Sequence, residues 1–158
     1  MEDITVTGCG LPVTGEPDNL TEFRLIPEKG TKALHYGTNF GACLSYHKGK
    51  WKWVKLQKNI VSKGSKTDHG GSDRYLRYNC NSSPFHNRLW HSIIAMLFCD
   101  KELTPGKQVH HLNNNGYCCR ADNLVVVTPK EHQQYHQDIK TGKVVITNLQ
   151  KSLFYVTQ

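Results

Sequence analysis

The sequence predicts an α+β fold: a small antiparallel sheet and a buried helix, followed by a compact strand–strand–helix unit. Three observations carry that expectation. From Leu34 to Tyr78, aromatic and β-branched residues recur between breaks of Gly, Ser, Asn and Lys, the pattern of short strands joined by turns. His91 to Cys99 (HSIIAMLFC) is apolar on most sides, as a buried helix would be. Leu124 to Val127 (LVVV) is rich in β-branched residues and runs directly into a helix start, with Thr128 as N-cap, Pro129 at N1 and Glu131 at N3. That is a capping box with proline at its favoured position.

In chain order, the first thirty residues are rich in Thr, Gly, Pro and acidic side chains, and read as loop with at most one short strand. Trp51, Trp53 and Val54 to Leu56 are expected in strands, and Arg74 to Asn79 (RYLRYN) alternates as a strand should. Ser62 to Ser72 between them is a basic, glycine-rich loop. Phe85 to Trp90 reads as a further short strand leading into the apolar helix. Thr104, Pro105 and Gly106 form a turn, and Lys107 to Leu112 (KQVHHL) returns as a strand. A polar loop with three asparagines and Gly116 precedes Leu124. The capped helix should run from Pro129 to about Lys140 and stop at Gly142, and the tail from Val144 to Val156 has the composition of a short hairpin.

The 158 residues fit one compact domain. A net charge of +7 favours a polyanionic partner, because lysines and arginines facing phosphates gain from counterion release. The charge is also unevenly placed. Residues 1–32 are net acidic, whereas Lys48, Lys50, Lys52, Lys55, Lys58, Lys63, Lys66, Arg74, Arg77 and Arg88 face only Asp68 and Asp73, so the middle of the chain is the expected contact surface. No segment approaches the roughly 20 apolar residues that a membrane span needs. MEDITVTGCG lacks the basic and apolar regions of a signal peptide. The six cysteines contain no C-x-x-C, so reduced thiols in a cytoplasm are expected; only the adjacent Cys118 and Cys119 leave a metal or redox role open.

The chemistry concentrates in Val109 to Gln137 (VHHLNNNGYCCRADNLVVVTPKEHQQYHQ), which holds four of the nine histidines. His132 and His136 are four apart on the capped helix and share a face, where two imidazoles can chelate one divalent ion. His110 and His111 occupy successive positions of a strand and point to opposite faces. One of them can complete a metal site while the other approaches a substrate. Phosphodiester hydrolysis needs that division of labour: positive charge for the transition state, and a separate neutral imidazole to deprotonate water.

These residues resemble the HNH, or ββα-metal, nucleases, and the run H-H…D-N-L-x-V-x-T-P-K-E-H-x-x-x-H is similar to that of the nuclease colicins. The resemblance implies His111 as general base, His110, His132 and His136 as metal ligands, and Asn123 as the residue that pins the loop carrying the base. Tyr36 to Ser45 (YGTNFGACLS), the strand at Tyr75 to Tyr78 and the helix His91 to Phe98 (HSIIAMLF) further resemble the layout of phage-type HNH homing endonucleases. Cys119 stands where those enzymes commonly carry an asparagine, so Asn114 or Asn115 is expected to brace the loop instead.

The implied organisation is a loop-rich segment (1–33), a basic β-rich DNA-contacting region (34–83), a nuclease core (84–142) and a tail (143–158). The implied function is metal-dependent cleavage of DNA in a bacterial cytoplasm with one divalent ion, Mg²⁺, Mn²⁺, Ni²⁺ or Zn²⁺, and no organic cofactor. Candidate DNA contacts are Lys50, Lys52, Lys55, Arg74, Arg77, Arg120 and Lys130. Trp51 and Trp53, alternating with those lysines, suit either base stacking or core packing. A binding module with a structural metal, or a toxin-type nuclease acting on RNA, is the alternative.

Overall fold

A computed structural model describes residues 22–27, 33–58, 75–99 and 105–144. Arg74, the loop Ser62 to Ser72 and most of the tail from Val144 lie outside them. Four strands, β1 (Phe23–Leu25), β2 (Leu34–Thr38), β3 (Cys43–His47) and β4 (Lys50–Val54), form an antiparallel sheet in sequential order. Its register pairs Gly37 with Cys43 and Cys43 with Val54, which puts all three on one face. That face rests on helix α1 (Trp90–Ile94), which continues as a wider π-turn over Ala95–Cys99. The contact is close: a Cβ at Gly37 would stand 2.7 Å from Leu97 Cδ1 and 2.9 Å from Ile94 Cδ1, so only glycine lets the sheet lie this near.

A two-stranded pair, β5 (Gln57–Lys58) and β6 (Leu76–Arg77), flanks the sheet. The hairpin β7 (Gln108–His111) and β8 (Leu124–Val127) and helix α2 (Pro129–Lys140) complete the fold. Ile26, Cys43, Leu56, Leu76, Tyr78, Trp90, Ile93, Ile94, Cys119 and Leu124 form one buried cluster. The α+β expectation is met, with the core between the sheet, α1 and the hairpin.

Helix α2 starts and ends where the local signals place it. The Thr128 hydroxyl accepts from the Glu131 N–H, the Glu131 carboxylate accepts from the Thr128 N–H, and Gly142 takes φ +75° just past the end. Two strands depart from expectation. Residues 81–87 are turns rather than the start of a strand. Pro84 has no N–H to give a ladder, and the Ser83 hydroxyl accepts from the Phe85 N–H, which bends the chain; only Leu89 makes a bridge, to Arg77. Of the described residues of RYLRYN, only Leu76 and Arg77 pair as strand, and α1 begins one residue earlier than expected, at Trp90.

The β2–β3 turn docks the sheet onto the loop between β7 and β8. Gly41, at φ +85°, lies so close that a Cβ would be 2.6 Å from the Cys119 carbonyl carbon. Its carbonyl accepts from Trp90 Nε1 at 2.8 Å, and the Asn39 carbonyl accepts from the Ala121 N–H at 3.0 Å. No helix among the described residues is long and apolar enough to cross a membrane.

Candidate metal and nuclease site

Strand alternation divides the two histidines of β7. His110 turns toward α2, where its ring centroid is 5.2 Å from that of His132 and 5.0 Å from that of His136. One helical turn brings His132 and His136 together, their Nε2 atoms 3.2 Å apart. One ring nitrogen from each of the three lies within 4.8 Å of the others. Tyr135, between the two helical histidines, stacks on His110 with planes at 14° and centroids 4.8 Å apart, fixing the ring's plane.

This set suits a divalent cation. His110 is only 2 % exposed and its Nδ1 has no hydrogen-bond partner. Burial, with His136 and His132 adding to it, pushes its pKa down to about 4, so the imidazole is neutral and its lone pairs are available. Cys118 and Cys119, the other candidates for metal chemistry, are wholly buried in the core. Burial, then Cys118 beside it, raises the Cys119 thiol far above its usual range, so it stays protonated and inert.

His111 points to the other side of β7. It lies 5.0 Å from His91, edge to face, and 5.8 Å from Tyr75 between ring centroids. It is 6 % exposed, and its Nε2 is sealed from solvent without a partner. Burial, then the nearby His91, His110, His132 and His136, hold its pKa well below the ordinary value. A neutral imidazole is the form that can accept a proton.

Asn123, fully buried at the end of a 3₁₀ turn (Ala121–Asn123), braces the loop that follows His111. Its Oδ1 accepts from the Asn113 N–H at 3.0 Å, and its Nδ2 donates to Asn113 Oδ1 and to the Cys118 carbonyl, both at 2.9 Å. Asn113 Oδ1 also accepts from the Asn115 N–H, and Asn115 Oδ1 from the Tyr117 N–H. Asn115 therefore braces the loop as expected, but Asn113 is its principal partner. Asn114 is instead exposed at φ +56°, a left-handed turn position that asparagine tolerates.

The basic residues do not all behave alike. Lys50, Lys52 and Lys55 are exposed. Lys52 opposite Ser45 and Lys50 opposite His47 share the face of Cys43 and Val54, so they stand on the side of the sheet that carries α1. Trp51 and Trp53 point the other way, and Trp51 packs among Phe23, Tyr36 and Tyr46 at centroid distances of 5.2, 5.4 and 4.8 Å. Arg120 is engaged by Asp122 at 3.0 and 2.9 Å and lies over Phe40. Arg77 donates to the Asn87 carbonyl, and Lys130 is exposed in the first turn of α2. Sequence reasoning assigned nothing to His91, Tyr75, Asn113 or Tyr135, all of which line or brace the site.

No curated protein and no solved structure matches the chain. Residues 88–134, from the approach to α1 through both strands of the hairpin to His132, match the family model of the HNH endonucleases. His110, His111, Asn123 and His132 therefore lie within a segment that is similar to the HNH endonucleases, and His136 stands two residues beyond it.

Proposed function

We propose that the protein is a metal-dependent DNA endonuclease of the phage-type homing kind, acting in a bacterial cytoplasm. The observation that supports this most is the split at β7: three imidazoles converge on one side, and a neutral, sheltered fourth stands on the other. His110, His132 and His136 would hold one divalent ion, Mg²⁺, Mn²⁺, Ni²⁺ or Zn²⁺, which supplies positive charge to the phosphorane transition state. With Nε2 of His111 sealed, its Nδ1 takes a proton from water as the water oxygen attacks phosphorus. The bond from phosphorus to the leaving deoxyribose oxygen breaks. Asn123 keeps the loop beyond His111 in place through Asn113. Lys50, Lys52 and Lys55 with Arg74 and Arg77, and Arg120 and Lys130 nearer the hairpin, contact backbone phosphates.

The test is cleavage of supercoiled plasmid with each of the four ions, wild type against His111→Ala. Ion-dependent nicking by the wild type and its loss in the variant are expected. Equal activity in the two proteins would refute the base, and cleavage of RNA without any ion would point to the toxin-type chemistry instead.

A further inference from the structure

The base proposed above lacks the partner that such a group ordinarily has. A histidine acting as base is held in one tautomer by a hydrogen bond to its second nitrogen, and among the described residues no carboxylate or carbonyl fills that place for His111. The ring against it is His91, from the first turn of α1, with planes at 80° and centroids 5.0 Å apart. Tyr75 closes over both, edge-on to His91 at 5.1 Å. His91 Nδ1 and His111 Nε2 are both buried without a hydrogen-bond partner. No bond joins them in this arrangement, although the rings that carry them are in contact. A base with Nδ1 open must carry its proton on Nε2, and a neutral His91 protonated on Nε2 presents Nδ1 as acceptor.

We propose that His91 is the positioning residue of the nuclease: its Nδ1 accepts from His111 Nε2–H when the two contacting rings turn to face each other, and so holds His111 with Nδ1 unprotonated toward the substrate. The inference rests on His111 being the base. His91 suits an acceptor's role because burial, with His132 adding to it, keeps its pKa near 4 and its ring neutral. Orphaned nitrogens on two contacting rings in the interior would otherwise each cost the desolvation of an unpaired polar group. No charged group is needed for this arrangement.

A double-mutant cycle on plasmid nicking tests this, with metal affinity and melting temperature measured alongside. His91→Phe fills the space but offers no acceptor, and should lower kcat about 10–100-fold with KM and metal affinity unchanged. His91→Asn, whose amide oxygen can occupy the place of Nδ1, should recover most of the loss. In the His111→Ala background neither change should cost more, because the residue acts through the base. Nitrogen-15 NMR of the wild-type protein should show His111 protonated on Nε2. Protonation on Nδ1, equal losses in His91→Phe and His91→Asn, or an undiminished loss in the His111→Ala background would each overturn the proposal. A large loss in His111→Ala with none in His91→Phe would remove His91 and leave the base standing, whereas wild-type cleavage by His111→Ala would remove both.

Discussion

His110 and His111 are neighbours in the chain, yet β7 delivers them to two environments that differ in every respect relevant to chemistry. On the α2 side, three half- or fully buried imidazoles crowd together around one point. Their proximity helps to lower the pKa of His110 and favours a cation able to take several lone pairs at once. On the α1 side, a single ring is enclosed by His91 and Tyr75, with no third ligand close enough to trap a metal among the described residues. On the function proposed above, the same side chain serves as ligand or base according to which face of a strand it leaves, and the two roles should come apart under mutation.

The largest effect should come from His111→Ala. Loss of the base should reduce kcat by about 10²–10⁴-fold, while calorimetric titration with Ni²⁺ or Zn²⁺ still shows the wild-type affinity. His132→Ala should do the reverse in binding, weakening metal affinity by more than the about 10–100-fold typical of residues that only support a ligand. If His111→Ala weakened metal binding as much as His132→Ala, the two sides would form one site and the comparison would fail.

Asn123 joins the two sides, because the loop it braces begins at His111. Asn123→Ala strands the Asn113 N–H and the Cys118 carbonyl, at about 1–3 kcal/mol for each buried group left unpaired. Denaturant unfolding should register that loss. Cleavage should fall further than metal affinity, because the ligands sit on β7 and α2 rather than on the loop. Equal falls would mean that the hairpin itself had collapsed.

The sealed side should also reveal itself in acid. His91 takes a proton at about 6.5 when unfolded but only near 4 when folded, so the unfolded chain binds more protons between those values. Stability in metal-free buffer is therefore fully present above pH 6.5 and lost as pH falls toward 4. Between pH 7 and pH 5 this group alone accounts for about 2 kcal/mol. Wild type should lose that much more than His91→Asn in paired denaturation curves, and parallel losses would show that His91 is not sealed.

What could be read from the sequence follows the distance over which each feature is decided. The α2 cap is settled within four residues and the shared face of His132 and His136 within one turn of helix, so residue types and spacing were enough for both, whereas the choice of His110 over His111 as their companion came only with the resemblance to the HNH nucleases. The meeting of His91 with His111 depends on α1 packing beneath the sheet, twenty residues away in the chain, and no local pattern encodes it. Which of three consecutive asparagines turns inward depended on Asn114 adopting φ +56°. The alternation of Trp51 and Trp53 with Lys50 and Lys52 is legible in the sequence, since a period of two already sends the tryptophans and the lysines to opposite faces. Pro84 and Ser83 likewise carried the turn that displaced the expected strand at Phe85.

The smallest expected effect sharpens the contrast from the ligand side. Thr128 is the hinge between β8 and α2, and its reciprocal bonds with Glu131 fix the direction in which the helix leaves the hairpin. Thr128→Ala should cost about 1 kcal/mol of stability, visible as a modest fall in melting temperature. The direction of α2 sets where His132 and His136 stand relative to His110, whereas His111 faces α1 and does not depend on it. Metal affinity should therefore weaken a few-fold, and cleavage at saturating metal should return to the wild-type rate. Persistent loss of cleavage with the metal site filled would mean that α2 also positions the base, through a coupling across β7 that strand alternation alone does not provide.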